Sequence, residues 1–451
     1  MKISFIGAGS VGFTRKLVAD ILSVPELQDM EISLMDIDSK NLDLIFHVLE
    51  RDIKANGLGK VRLTKTTNRK ESLKAAKYII VCMRVGGLDA FAMDVEIPMK
   101  YGVNQCVGDT ICAGGIMYGQ RTIPVILDIC KDIKDIGEPG ALLLNYANPN
   151  AMNTWAANSY GGVKTLGLCH GVQHGHKQLA DVLGVPLKEL DIICAGINHQ
   201  TWYIQILHNG KDMKDKVLEG FQKHPVYSQE EKVRIDILKR FGYYSTESNG
   251  HLSEYLPWYR KRPGEIDSWI SYNSWIHGES GGYLRECRET RSKFEQEARE
   301  YETMKPLEYS AESRSSEHGS RIIEALETRR VYRGHFNVIN NGAISNLPPD
   351  AVVEVPGYVD GNGISIPLVG DLPLGCAAIC SQSIAVQRLS VQAALKGDPV
   401  LLKQAMLLDP LTGAVCNPPE VSAMADEMLK AESQWLPQYQ DYIRKLKGRL
   451  G

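Results

Sequence analysis

The sequence predicts an α/β fold, a doubly wound parallel sheet over the first part of the chain followed by an α+β region. Three observations predict it. A β-branched and aromatic run, Lys2–Ile6, passes at once into Gly7-Ala8-Gly9-Ser10-Val11-Gly12 and then into a helical pattern through about Leu22. Strand and helix patterns then keep alternating, the order that builds parallel strands joined by crossover helices. From about Gly196 the character changes to polar helical stretches rich in Trp and Tyr.

Taken in order, Glu31–Met35 reads as a second strand ending at Asp36, Asn41–Ala55 as an amphipathic helix, Val61–Thr66 as a third strand and Lys77–Met83 as a buried fourth. The helix Thr122–Ile136 precedes the apolar strands Ala141–Asn145 and Val163–Leu168, and Ile192–Ala195 reads as one more strand. Helical stretches at Val233–Tyr244, Lys293–Glu302 and Gly319–Thr328 lead into a strand-like region, Gly334–Tyr358, and helices run from about Ser381 to Leu446. Neither a repeat nor a Pro/Ser-rich linker interrupts the chain. Two halves, residues 1–195 and 196–451, are therefore expected to pack against each other rather than swing on a tether.

The 451 residues are 43% apolar and 23% charged, with a formal net charge of −3. A chain of this size can bury enough surface to fold without disulfides. The near balance of charge argues against a dedicated nucleic-acid binder, whose affinity comes from clustered Lys and Arg. No run approaches about 18 apolar residues, so no membrane span is expected. Met1–Ile6 is too short before its glycines to form a signal-peptide core. The ten cysteines lack the paired spacing of a zinc knuckle and the density of a secreted scaffold, so reduced, mostly buried thiols and a cytoplasmic location are expected.

Gly7-x-Gly9-x-x-Gly12 has the Rossmann spacing: one glycine for the tight turn, one for approach of a pyrophosphate to the backbone, one for close packing of helix on strand. Ser10 lies within the turn. Asp36 closes the next strand 24 residues after Gly12, where a carboxylate accepts bonds from a ribose hydroxyl and repels a 2′-phosphate. The expected cofactor is NAD. Three polar tips follow apolar strands and should meet at the carboxyl edge of the sheet: Asn145-Tyr146-Ala147-Asn148-Pro149, Cys169-His170 and Gly196-Ile197-Asn198-His199. Cys169 and His199 together could hold a divalent ion. The alternative is that Cys169 belongs to the core and His199 to a structural hydrogen bond.

These segments, together with Leu34-Met35-Asp36-Ile37-Asp38, Leu168-Cys169-His170, Glu254-Tyr255-Leu256-Pro257, Asn341-Gly342-x-Ile344-x-Asn346-Leu347-Pro348, Val353-Glu354-Val355 and Leu408-Asp409-Pro410, resemble glycoside hydrolase family 4 over nearly the whole chain. The resemblance implies a fold like that of lactate and malate dehydrogenases with an enlarged second domain, a tightly held NAD, a divalent metal, usually manganese, and a homodimer or homotetramer. On that reading Cys169 and His199 are the metal ligands, Tyr255 the catalytic base, Asn148 a contact to sugar and cofactor, and Asp109 with Thr110 lies near the sugar and nicotinamide. The alternative for Tyr255 is an ordinary packing role, with Tyr243, Tyr244 and Tyr259 close in sequence. His170 either assists the leaving group or binds a sugar hydroxyl, against a purely structural hydrogen bond. Ile111-Cys112-Ala113-Gly114-Gly115 departs from the Gly-Pro-Gly-Gly of many relatives and leaves the path of that loop open.

The chemistry implied needs these parts. A glycosidic bond resists elimination because the C2 proton is barely acidic, and oxidising C3 to a ketone changes that. NAD would take the C3 hydride, the metal would polarise the C2 and C3 oxygens, and a tyrosinate would remove the C2 proton. The aglycone then leaves, water adds and the hydride returns. Within the family, Asn148-Pro149-Asn150-Ala151-Met152-Asn153-Thr154-Trp155 resembles the α-galactosidase branch, and Val107-Gly108-Asp109-Thr110 also resembles the α-galacturonidases. A neutral α-galactoside is the expected small-molecule substrate. An α-galacturonide, an α-glucuronide or a 6-phospho-glycoside would need a cationic clamp, for which Arg84 and Arg285 are candidates against structural ion pairs. A 2-hydroxy acid dehydrogenase and a catalytically idle NAD sensor are the competing readings, and both leave Cys169 and His199 without a joint role.

Overall fold

The computed structural model of the chain describes residues 1–262, 264–270 and 278–448. Short β-branched and aliphatic segments in the first part form β1 (Lys2–Ile6), β2 (Glu31–Met35), β3 (Arg62–Thr66), β4 (Tyr78–Val81), β5 (Leu142–Asn145) and β6 (Thr165–Gly167). All but the edge strand β3 are largely buried, as a parallel sheet covered by helices requires. They pair in parallel in the order β3-β2-β1-β4-β5-β6. Strand order therefore reverses between β1 and β4, and ligands bind at the carboxyl ends of the strands beside such a reversal.

The same sheet continues beyond β6. Its further strands are β7 (Leu190–Ile197), β8 (Gln200–His208), β9 (Lys211–Asp212), β10 (Tyr332–Ile339), β11 (Val352–Asp360) and β12 (Gly363–Ser365), all paired antiparallel. Two single-residue pairings join the sections, Asn337 with Gly167 and Glu354 with Gly196. Glycine is required at both: a Cβ on Gly167 would overlap Asn150 Oδ1, and one on Gly196 would overlap the Gln200 carbonyl. The strand expected at Ile192–Ala195 is thus corrected in its partner. It belongs to β7, which pairs with β8 and β11 rather than extending the parallel set, and the expected boundary at 195/196 falls inside it.

The helix expected from Thr122 begins already at Cys112 and runs to Ile136. Gly114 and Gly115 allow this despite their poor helix propensity, because a Cβ on either would strike the backbone of Asp94 or of Thr110. Asp409 Oδ2 accepts the Cys112 N–H at 3.0 Å, which satisfies one of the open donors at this helix start. The C-terminal helix Leu374–Lys396 packs along its flank, where Gln120 Nε2 donates to the Ser390 carbonyl at 3.1 Å. One apolar core runs from Ile3 and Phe5 through Trp202 and Val352 to Met428, so the two halves share an interior. Among the described residues no helix is long and apolar enough to cross a membrane.

Candidate active site

The glycine turn after β1 is built as its spacing requires. Gly7 has φ +90°, and a Cβ there would come within 2.8 Å of the Met83 nitrogen. Gly9 donates its N–H to Asp36 Oδ2 at 2.7 Å, and a Cβ would collide with that carboxylate. Ser10 is the N-cap of the helix Val11–Leu22 and makes no side-chain cap bond. The opening turn of that helix offers free N–H groups beside Asp36, the arrangement that receives a pyrophosphate. The Cβ position of Gly12 lies 3.0 Å from the hydroxyl of Tyr301, on the helix Gly282–Thr303.

At the ends of β5, β6 and β7 the three polar tips converge on a pocket of about 200 Å³, lined by Asp109, Asn148, Cys169, His170, His199, Glu247 and Tyr283 among others. The donor atoms of Cys169, His199 and Glu247 lie within 4.8 Å of one another. Gly171, at the start of the helix Gly171–Leu183, makes room for this cluster: a Cβ there would overlap Glu247 Oε1. Its N–H points at Cys169 Sγ from 3.4 Å.

The electrostatics fit a cation. Burial, then Glu247 and Glu354, push the Cys169 thiol well above its ordinary range. Burial also opposes charge on Glu247, but His199, His251, Arg234 and His174 outweigh it and lower its pKa. Burial lowers the pKa of His199, which keeps the imidazole neutral as ligation requires. A thiol, an imidazole and a carboxylate crowded together make a divalent-metal donor set, and a bound cation would relieve the repulsion between thiolate and carboxylate.

Neighbouring groups hold the donors. His251 Nε2 meets His199 Nδ1, and His251 Nδ1 lies 2.6 Å from Glu254 Oε2. Glu254 Oε1 in turn accepts the N–H groups of Cys106, Val107 and Gly108 at 2.8, 3.0 and 3.1 Å, fixing the segment that leads to Asp109. Asp109 accepts from Arg84, Thr110 and Asn148 at 3.2, 2.9 and 3.1 Å. Glu354, pushed up to about 7 by burial and by Glu247, takes a 3.4 Å bond from Asn198 Nδ2. His170 Nε2 pairs with Glu317 Oε2 at 2.7 Å. Burial works against charge on His170, but Glu317 prevails and raises its pKa.

The sequence model of the family 4 glycosyl hydrolases matches residues 2–185, and that of the family's C-terminal domain matches residues 194–412. The chain belongs to glycoside hydrolase family 4. It is 60% identical over its full length to an α-galactosidase of Rhizobium meliloti, spanning 92% of that protein. It is 35% identical over 97% of its length to an α-galactosidase of Bacillus subtilis, spanning 99% of it. Among solved structures, a 6-phospho-α-glucosidase from gut microorganisms in complex with NAD and glucose-6-phosphate superposes with a TM-score of 0.78 at 25% identity, over 97% of this chain and 99% of that one.

In this family 4 enzyme three candidate site residues are not among the described residues lining the pocket. Tyr255, expected as the base, is 1% exposed, its hydroxyl donates to the Asn198 carbonyl at 3.3 Å, and burial, then Glu247 and Glu254, push the phenol well above its ordinary range. Its ring supports His251 edge-on, with centroids 5.5 Å apart. Arg84, a candidate substrate contact, makes the ion pair that was its alternative: it holds Asp109 from an aromatic box, 4.4 Å from the Phe91 ring centre and 5.3 Å from that of Tyr118. Arg285 does likewise, with Glu279 and Glu289 at 2.6 and 2.8 Å.

Glu247, His251, Glu254, Glu317 and Tyr283 were not singled out by role in the sequence. His251 and Glu254 carried a usable signal, since their i,i+3 spacing puts both on one face of the helix Asn249–Tyr255. Glu247 lies in a polar connection without periodicity and carried none.

Proposed function

We propose that this enzyme hydrolyses α-galactosides, with NAD held at Gly7, Gly9, Ser10, Gly12 and Asp36 and a divalent cation, Mn²⁺, held by Cys169, His199 and Glu247. The observation that carries the proposal is the Cys169, His199 and Glu247 cluster in one pocket with Asn148 and Asp109. The two α-galactosidases that the chain matches support the choice of sugar. When bound, NAD supplies reversible oxidation at C3 and the cation acidifies the neighbouring C2 proton.

The chain's own residues do the rest. Asp109, held by Arg84, Thr110 and Asn148, accepts a sugar hydroxyl and orients the ring. His170 keeps a proton on Nε2 toward Glu317 and, as part of the pocket wall, is placed to meet a sugar or leaving-group oxygen. Tyr283 lines the pocket, and Arg84 Nη2 lies 3.5 Å from its hydroxyl. Tyr255 is not among the described residues of that lining, so we assign Tyr283 the proton-accepting role expected of Tyr255; burial raises the pKa of Tyr283 and Arg84 offsets the rise only in part. No Lys or Arg is among the described residues lining the pocket, which favours a neutral sugar over a uronate or phosphate. The ten cysteines form no disulfide, which suits the cytoplasm, and the family resemblance supports a homodimer or homotetramer there.

The test is a panel of α-galactosides, α-uronides and 6-phospho-glycosides assayed with Mn²⁺ and NAD while NADH absorbance is followed. The expected result is galactose release without net NADH. A preference for uronides or 6-phosphates would overturn the choice of substrate, and stoichiometric NADH would overturn the hydrolytic cycle.

A further inference from the structure

A cavity of about 490 Å³ adjoins the catalytic pocket, and Gly171, His174, Glu247 and Ser248 line both. We propose that it is the subsite for the second sugar of the substrate, a neutral hexosyl leaving group of an α-galactosyl oligosaccharide. The proposal rests on the α-galactosidase reading and adds to it which part of a larger substrate the enzyme grips, and where.

Direction supports it. The glycine turn lies at the end of β1, and Asn148, Cys169 and His199 follow in spatial order at the ends of β5, β6 and β7. The cavity is walled by the helix that leaves β6 and by residues 227–249, so it lies beyond Cys169 as seen from the dinucleotide turn. A sugar that presents C3 to the nicotinamide has C1 on the other side of C2. Its bond to the leaving group therefore points away from the dinucleotide, toward this cavity.

The lining has the chemistry for a polyol. Glu231 is 7% exposed; its Oε1 takes a 2.9 Å bond from Gln178 Nε2, whereas its Oε2, 3.2 Å from Arg234 Nη1 in an ion pair, accepts no hydrogen bond. That oxygen is closed off from solvent and belongs to the wall; the polar side chains of the lining that reach solvent are His174, Lys177, Gln178 and Glu230, which offer both donors and acceptors to sugar hydroxyls. Arg234 is occupied by Gln178 and the Ser245 carbonyl, so its charge is committed within the wall and does not call for an anion. Tyr227 adds an aromatic wall, held by stacking on His224 with centroids 4.2 Å apart and by a 3.2 Å bond to Asp181. A space of this size and mixed polarity suits one hexose ring, and the smaller pocket inside it suits the other.

Two substrates separate the subsite from the catalytic pocket: α-galactosyl fluoride, whose leaving group is too small to enter the cavity, and a disaccharide of galactose α-linked to glucose. In Tyr227→Ala and, separately, Lys177→Ala, kcat/KM for the disaccharide is expected to fall at least about tenfold, with kcat/KM for the fluoride unchanged and product inhibition by free glucose weakened. Lys177 lines the cavity and is exposed, so its replacement tests the cavity even where loss of the Tyr227 ring destabilises the fold. Equal losses on both substrates, or no loss on either, overturn the subsite while leaving the α-galactosidase reading intact. Wild-type enzyme that cleaves neither substrate overturns that reading and the subsite with it.

Discussion

His251 Nε2 lies 2.8 Å from His199 Nδ1, and the bonds around this pair settle which nitrogen of His199 is free. Glu254 can only accept, so His251 carries a proton on Nδ1, and in its neutral form it offers a lone pair at Nε2. Thr110 Oγ1 donates to Asp109 Oδ1 and so also presents a lone pair to His199 Nδ1, at 3.2 Å. His199 Nδ1 therefore bears the hydrogen, and Nε2 is left for a metal. A carboxylate, an imidazole and a ligating imidazole in series form a second layer that fixes tautomer and orientation.

His251→Ala is expected to weaken Mn²⁺ binding by about 10- to 100-fold, the usual effect of removing such a support, with NAD affinity unchanged. Titration calorimetry on each ligand separately decides this. Unaltered Mn²⁺ affinity would show that the relay does not reach the metal.

Cys169→Ser, His199→Ala and Glu247→Gln should each remove most Mn²⁺ affinity, since a three-residue site cannot spare a donor. Electron paramagnetic resonance of added Mn²⁺ reads this without an activity assay. Glu247→Gln binding Mn²⁺ as tightly as wild type would remove Glu247 from the site. In the wild type, a chelator should abolish activity and Mn²⁺ restore it.

Tyr283→Phe should cost about 10²–10⁴ in rate and stop deuterium uptake at C2 of galactose released in D₂O. A two-carboxylate glycosidase never breaks that C–H bond, so the isotope is diagnostic of the route. Tyr255→Phe should leave C2 exchange intact and act on stability instead, through the lost bond to the Asn198 carbonyl. The opposite pattern in the two variants would return the role to Tyr255.

Asp36→Ala is expected to weaken NAD binding through loss of a charged hydrogen bond, worth about 1.5–3 kcal/mol. The variant also releases the Gly9 N–H that Asp36 holds at 2.7 Å, so the turn should loosen as well. Calorimetric affinity equal to wild type would sink the ribose assignment.

Stability should fall as the pH drops from about 6.5 toward 4. Burial holds His318 down to about 4 and His335 down to about 3, so the folded protein keeps both neutral while the unfolded chain takes up protons. Each then contributes roughly 1.4 kcal/mol of destabilisation per pH unit across that window, and nothing above it. His335→Leu should flatten the fall of Tm between pH 7 and pH 5 seen by calorimetry. An unchanged slope would show that His335 does not titrate on unfolding.

Where backbone geometry dictated residue type, the sequence was readable. The glycine turn with Asp36 could be read because only glycine tolerates φ +90° and the close approach of that carboxylate. Cys169 and His199 could be read because each follows an apolar strand. Glu247 could not, because it reaches the pocket from a connection whose position depends on the packing of residues far along the chain. In Glu254-Tyr255 the family resemblance drew attention to the phenol, whereas the part played by the neighbouring carboxylate, which holds four hydrogen-bonding partners, was not legible. The antiparallel pairing of β7 was equally hidden, since a buried strand reads alike in either direction.

The pairing of Gly167 with Asn337 bears on how the protein is made. Strand β6 emerges from the ribosome long before its partner β10, with 170 residues between the paired positions. Until then the nascent parallel sheet ends in an unpaired apolar edge, the kind that recruits other chains. Closure of the sheet is therefore a late, long-range event that loop entropy slows. Premature termination between residues 200 and 330 should yield an aggregation-prone fragment rather than a small stable domain, and overexpression in the cell should depend on chaperones that shield this edge.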